Sequence, residues 1–306
     1  VSDTLGVLVM AYGTPASRAE VEPYYTRIRH GRAPTEEQLA DLVRRYDAIG
    51  GTSPLAERTE AQVDGIAAAL EELAPGRFAV RFGAKYTEPS IEAAAAELRE
   101  SGVSEVVALA LTPHYSSMGT GEYLARAAAA LGDTVVVHPI RQWFDAEGFA
   151  ELMAQRVRDA LGSLGEAERD TALVLFTAHS LPARILEAGD PYPDQLAATA
   201  ASIAAAADLD SFEVAWQSAG RTQEPWIGPD ILEVIAELPN RGIGSVVVCP
   251  VGFVADHLEV LYDVDVEAAR VAADAGVDLV RTASLNDDPA FLTLVARRVL
   301  AAADDR

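Results

Sequence analysis

The sequence predicts an α/β protein of two similar lobes, each a parallel sheet flanked by helices. Three observations lead there. Eight short apolar runs alternate with longer helix-like segments along all 306 residues. The runs are almost continuously hydrophobic, as strands buried on both faces are, and lack the polar alternation of half-exposed strands. The landmarks of the first half also recur, in the same order, in the second.

In chain order the expected strands are "LGVLVMAYGTP", "RFAVRFGAKYTEP", "EVVALALTPHYSS", "DTVVVHPI", "TALVLFTAHSLP", "FEVAWQSAG", "SVVVCPVGF" and "VDLVRTASL". Between them "TEAQVDGIAAALEEL", "PSIEAAAAELRES" and "PDILEVIAELPNRG" carry the helical period, and "AATAASIAAAADLD" reads as a helix ending in acids. Strands that alternate with helices are the pattern of a parallel sheet covered on both faces.

The repeat rests on three pairs. "MAYGTP" is echoed by "TAHSLP", pairing Tyr12 with His179. "YTEPSIEAAAAEL" is echoed by "TQEPWIGPDILEVIAEL", pairing Pro89 with Pro225, and "ALALTPHYSS" by "VVVCPVGFVADH", pairing Pro113 with Pro250. The expected division is 1–158 for the first lobe and 159–306 for the second, with the last helix returning to the first lobe. Ligands of open parallel sheets bind beyond the carboxyl ends of the strands. Tyr12, His114, His179 and His257 each follow a proposed strand, so lobes with facing strand ends would gather them at one cleft. Taken singly, each fits a structural role equally well.

The first lobe is longer between its first two landmarks, over an insertion near 18–58. Here an acidic chain gathers Arg27, Arg29, Arg32, Arg44 and Arg45 with Tyr24, Tyr25 and Tyr46. Arginine grips carboxylates and phosphates, and aromatic faces cover flat apolar ligands. The alternative is a helical hairpin whose arginines pair with its own Glu36, Glu37 and Asp41.

A formal charge of −23 argues against nucleic acid and anionic membranes as partners, and is compatible with attracting cations. Lys85 is the only lysine. Cys249, the only cysteine, lies in an apolar run and reads as a buried thiol, which leaves no cysteine-ligated iron–sulfur cluster. No basic leader and no membrane-length apolar run is seen, so a cytoplasmic protein is expected. Glycine-rich phosphate loops, dinucleotide fingerprints and nucleophile elbows are all missing. The chemistry therefore falls to His, Tyr, Glu and Asp, groups suited to a loosely held divalent metal or to proton transfer.

Within "PVGFVADHLEVLYDVDVEAAR", Glu259, Asp263 and Glu267 recur at four-residue spacing and would share one stripe of a helix. Like charges so placed destabilise a helix by roughly 0.2–0.5 kcal/mol per pair. Either water screens them, or a cation sits opposite.

"LVMAYGTP", "YYTRIRHGR", "RYDAIGGTSPL", "TAHSLP", "GDPYPDQL", "WQSAGRTQEPWIGPD" and "PVGFVADHLEVLYDVD" together resemble ferrochelatases, over nearly the whole chain and in order. They look closest to the soluble bacterial kind that inserts ferrous iron into coproporphyrin III. The resemblance implies two Rossmann-like lobes with a porphyrin cleft between them. It implies that His179 and Glu259 form the catalytic and metal-handling pair, and that Tyr12 ligates iron in the product. Arg29, Arg45, Tyr46, Ser53 and Tyr123 would hold the macrocycle and its acidic side chains. Asp263 and Glu267 would continue the acidic line towards solvent as an outer delivery site. The segment "HYSSMGTGEYLARAAAAL" departs from the family in being glycine-richer.

By the same resemblance, coproporphyrin III and Fe2+ are substrates, no cofactor is tightly bound, the next haem-pathway enzyme is a partner, and the chain is a monomer. Three other readings stay open. They are a protoporphyrin IX ferrochelatase, a cobalt or nickel tetrapyrrole chelatase, and a non-catalytic two-lobed carrier of metal or tetrapyrrole.

Overall fold

The computed structural model describes residues 4–305. Two compact units emerge. The first runs to Ala146 and takes in Ala255–His257 and the chain from Leu285 on; the second comprises Glu147–Val254 and Leu258–Ser284.

In the first unit β1 (Leu5–Ala11), β2 (Phe78–Ala84), β3 (Glu105–Ala110) and β4 (Val136–Ile140) form a parallel sheet of order β2-β1-β3-β4. Every residue of β1 is buried, which accounts for its unbroken apolar run. The edge strands are less covered, with Arg81 on β2 and Val136 on β4 exposed. Helices α1 (Val21–Ile28), α2 (Glu36–Ala48), α3 (Leu55–Leu73), α4 (Ile91–Glu100) and α5 (Thr120–Leu131) follow. Thr35 starts α2 through a capping box. Its hydroxyl accepts from the Gln38 N–H, and the Gln38 side chain accepts from the Thr35 N–H. The C-terminal helix, Pro289–Asp304, packs on α3 and is tied by an Arg77–Asp304 pair at 2.6 Å and by Phe291 against Trp143.

The second unit repeats the plan. Strands β5 (Leu173–His179), β6 (Phe212–Gln217), β7 (Ser245–Cys249) and β8 (Asp278–Arg281) are parallel in the order β6-β5-β7-β8. Its helices are α6 (Phe149–Gly162), α7 (Glu166–Arg169), α8 (Arg184–Glu187), α9 (Tyr192–Ala207), α10 (Ile231–Glu237), α11 (Leu258–Leu261), a π-helical turn (Asp263–Ala268) and α12 (Ala269–Ala275). The expected boundary at 158/159 is corrected to 146/147. It would have cut α6, which packs along α9 and sends Arg158 to the Ala206 carbonyl at 2.9 Å. Among the described residues, no helix is long and apolar enough to cross a membrane.

Strand registers test the internal repeat directly. Ala11 pairs with Ala84, whose N–H donates to the Pro89 carbonyl; Ala178 pairs with Trp216, whose N–H donates to the Pro229 carbonyl. Tyr12 and His179 are thus equivalent, each one residue further on. The partner of Pro89 is Pro229, not Pro225. Both of these prolines follow cis peptides, and both precede a residue that caps the next helix, Ser90 for α4 and Asp230 for α10. Pro250 does not match Pro113 either. Met10, two before Tyr12, pairs with Ala110, and Thr177, two before His179, falls opposite Pro250 by the β5–β7 register.

Gly83 of β2 lies tight against the start of α4. A Cβ there would lie 2.6 Å from the Ile91 Cα, a backbone atom that cannot step aside. Gly162, at the end of α6, has nothing within 4 Å of its own added Cβ. Gly83→Ala should therefore lose about 1–3 kcal/mol in denaturant unfolding. Gly162→Ala should be neutral or gain up to about 1 kcal/mol. Equal effects would refute the packing described.

Candidate active site

In the second unit the site begins where β5 ends. His179, its last residue, keeps a third of its side chain exposed, as does Glu259 of α11. His179 Nε2 and Glu259 Oε1 lie 3.7 Å apart, beyond hydrogen-bond distance. The other ring nitrogen, Nδ1, meets the carbonyl of Ser180. A carbonyl only accepts, so Nδ1 carries the proton. In the neutral ring Nε2 then presents a lone pair toward the Glu259 side. The Tyr192 hydroxyl donates to the His179 carbonyl at 3.1 Å, and burial, helped by Glu259 and Asp190, raises the Tyr192 pKa so that it remains a neutral donor. The Trp226 ring lies 6.4 Å from the imidazole.

Glu259 is held from behind. Gln217, fully inside, donates from Nε2 to the Glu259 carbonyl at 2.8 Å and accepts at Oε1 from the Thr177 hydroxyl at 2.8 Å. The next residue, Ser218, donates to the Asp263 carboxylate.

The acidic stripe takes a different form from the one expected. The chain leaves α11 for a π turn, in which the Glu267 N–H reaches back five residues to the Tyr262 carbonyl at 2.9 Å. Asp263 is buried against Ser218 instead of leading out to solvent, and Glu267 is half-buried. Asp265 turns aside to a two-pronged pair with Arg281 at 2.7 and 3.0 Å. Among the described residues no three of His, Cys, Asp and Glu converge as a metal cage. Asp230, which sequence reasoning missed, joins this acidic region. Burial raises its pKa, and Glu233 and Glu267 add to the shift.

In the first unit Tyr12 follows β1 and is 39% exposed, with its ring edge-on to Tyr86 at 4.8 Å. Gly13 next to it has φ +87°, and a Cβ would fall 2.3 Å from the Thr87 hydroxyl oxygen, so only glycine makes this turn. Tyr24 donates to the Gly13 carbonyl at 3.1 Å, and the Tyr46 and Thr14 hydroxyls meet at 3.4 Å. Tyr46 is therefore a buried brace for the Tyr12 loop.

Tyr123 is buried in the hydrophobic core of the sheet, and Lys85 Nζ lies 5.2 Å from the centre of its ring. Lys85 pairs with Glu122 at 2.6 Å; burial pulls its pKa down, and the carboxylate opposes the shift. Beside it Arg126 grips Glu92 with two bonds of 2.8 Å. Thr26, Arg27, Lys85, Tyr86, Glu122 and Arg126 line a groove of about 560 Å3 next to Tyr12. Of these only Arg27 and Tyr123's neighbour Lys85 stood out in the sequence.

The remaining sequence-derived residues have local partners. Arg29 lies 5.6 Å from the Tyr25 ring and donates to the Arg32 carbonyl at 3.2 Å. Arg45 pairs with Asp41 at 3.2 Å, and so does Arg44, both within α2. Ser53 is buried and accepts from the Leu55 N–H at the start of α3. For His114 the structure gives the structural role. It is buried, stacks on Phe144, and has its pKa pushed down to about 3 by burial, which makes it a neutral core side chain. His257 Nδ1 donates to the Ala255 carbonyl at 2.9 Å. Cys249 is buried, as expected, and its thiol pKa is pushed up to about 12.

Residues 4–303 match the family model described as ferrochelatase. The chain belongs to the ferrochelatase family. Among relatives, the coproporphyrin III ferrochelatase of Geobacillus thermodenitrificans is 46% identical over 302 residues, covering 97% of this chain and 95% of that protein. The coproporphyrin III ferrochelatase of Bacillus subtilis is 43% identical, covering 97% of each chain. The ferrochelatase of Herpetosiphon aurantiacus is 43% identical, covering 96% and 98%. Among solved structures, the sirohydrochlorin chelatase SirB from Bacillus subtilis subspecies spizizenii, in complex with cobalt, has a TM-score of 0.59 at 14% identity, covering 99% and 96%. That likeness establishes the chelatase-like fold of two Rossmann-like lobes. In this chain His179 and Glu259 lie in "TAHSLP" and "DHLEVLYD".

The acidic region makes a pH-dependent prediction. Asp230 caps α10 by accepting from the Leu232 N–H at 2.8 Å, a role asparagine fills equally well. Its raised pKa means the folded state binds its proton more tightly than the unfolded chain does, so the ionised carboxylate opposes folding at neutral pH. Asp230→Asn should raise the unfolding midpoint at pH 7. The gain should shrink as the pH falls into the ordinary carboxylate range, where aspartate is protonated in both states. Unfolding curves at several pH values check this, and a loss of stability at pH 7 would contradict it.

Proposed function

We propose that this chain inserts ferrous iron into coproporphyrin III, releasing two pyrrole protons for each metal ion taken up. The observation that carries the chemistry is the His179–Glu259 pair, with an imidazole lone pair and a carboxylate 3.7 Å apart at a strand end. The choice of porphyrin is supported by relatives of 42–46% identity that are named coproporphyrin III ferrochelatases.

In this reading Nε2 of neutral His179 accepts a pyrrole proton or ligates the entering metal. The Glu259 carboxylate takes a second proton, and where Nε2 ligates the metal the remaining proton passes to water. Tyr12, the exposed aromatic after β1, ligates iron in the product. Arg29, Arg45 and Ser53 hold propionates; charge-assisted bonds of this kind contribute roughly 1.5–3 kcal/mol each. Tyr46 and Tyr123 help to hold the macrocycle in the same reading; Tyr46 meets Thr14, and Tyr123 lies beside Lys85. Of the expected outer acids, the half-buried Glu267 is the one left to raise the local cation concentration near Glu259. Iron is a substrate, and no resident cofactor forms part of the proposal. A cytoplasmic setting belongs to the same reading and fits the buried thiol of Cys249.

The test is anaerobic incubation with ferrous iron and either coproporphyrin III or protoporphyrin IX, followed by absorption spectroscopy. Turnover beyond one equivalent is expected, with the larger kcat/KM for coproporphyrin III. His179→Ala should abolish turnover and Glu259→Gln should reduce it severely, while Arg45→Ala should narrow the preference between porphyrins. Stoichiometric binding without insertion would identify a carrier instead. An equal or better kcat/KM for protoporphyrin IX would overturn the substrate assignment.

A further inference from the structure

Gln217 touches both members of the proposed inserting pair without facing the reaction. Its backbone pairs with His179 in the β5–β6 register, and its carbonyl accepts from the Ser180 N–H at 2.7 Å. The Ser180 carbonyl in turn accepts a hydrogen bond from His179 Nδ1. The Gln217 side chain reaches the other way, to the main chain of Glu259.

The orientation of that amide is chemically forced. The Glu259 carbonyl can only accept, so Nε2 must face it, and Oε1 is left to take the Thr177 hydroxyl proton. Thr177 is 0% exposed and Gln217 1%. Buried polar groups are costly unless each is satisfied, and here the two satisfy one another and a helix carbonyl. The carbonyl lies in α11, directly before the chain changes from α to π winding. Ser218 holds Asp263 at the far end of the same stretch. Two adjacent residues at the end of β6 therefore grip both ends of the segment that carries Glu259.

We propose that Gln217 is a positioning residue for metal insertion: its amide, locked by Thr177, holds the main chain of Glu259 so that the carboxylate stays beside Nε2 of His179. The inference rests on the reading of His179 and Glu259 as the inserting pair. Gln217 contacts neither porphyrin nor metal and acts through Glu259.

Gln217→Met keeps the length of the side chain and removes both hydrogen bonds; Thr177→Val removes only the lock. With ferrous iron and coproporphyrin III, Gln217→Met should lower kcat by about tenfold or more and Thr177→Val by about threefold, with porphyrin affinity by fluorescence quenching changed less than about twofold. In a Glu259→Gln background, under single-turnover conditions, Gln217→Met should cause no further loss, because its effect passes through the carboxylate already removed. A near-normal kcat in Gln217→Met, or the same fold-loss in both backgrounds, would overturn the proposal and leave a purely structural role. Should Gln217→Met fail to fold, Thr177→Val carries the same cycle with the same criterion. If Glu259→Gln itself turns over normally, the pair reading falls and takes this inference with it. If Glu259→Gln is impaired and Gln217→Met is not, this inference alone is wrong.

Discussion

A carbonyl oxygen can accept a hydrogen bond but never donate one, and that constraint organises the second unit's chemistry. Facing His179 Nδ1, the Ser180 carbonyl assigns the proton to that nitrogen and leaves Nε2 open toward Glu259. The Glu259 carbonyl, under the same rule, orients the Gln217 amide. The central strand β5 supplies Thr177 inward and His179 at its tip, so one strand serves both the lock and the pair.

The two units use one frame for two chemistries. The strand registers make Tyr12 and His179 equivalent, each just past a residue paired with the strand that leads to a proline and a helix cap. In the first unit that position is an exposed phenol on a turn only glycine allows, braced by Tyr24 and Tyr46. In the second it is an imidazole inside a polar relay. The acidic character of the chain is likewise partitioned. Arg281 neutralises Asp265, and Ser218 satisfies Asp263 without neutralising it.

All eight strands were legible because buried parallel strands need long apolar runs, and little else in a sequence produces them at that spacing. Tyr12, His179 and Glu259 were legible because each sits in a short motif beside such a run. The boundary between units was not, since an amphipathic helix such as α6 carries no mark of which sheet it will cover. Nor was the burial of Asp263, which depends on Ser218, 45 residues away. The α-to-π change has no residue signature, so an even four-residue spacing read as a plain helical stripe. Thr177, Gln217 and Lys85 have roles that only their partners reveal, and nothing near them in sequence names those partners. Pro225 and Pro229 lie four residues apart, and it takes the Trp216 hydrogen bond and the Asp230 cap to tell them apart.

The proton position on His179 is the point on which the account turns most directly. Selective 15N labelling of the histidines, with His179 assigned by comparison with His179→Ala, measures it at a pH where the ring is neutral. The result expected is a protonated Nδ1 and an unprotonated, pyridine-like Nε2, with the Nε2 resonance moving in Glu259→Gln. A neutral ring protonated at Nε2 would contradict the account, because the nitrogen facing Glu259 would then have no lone pair for a proton or a metal.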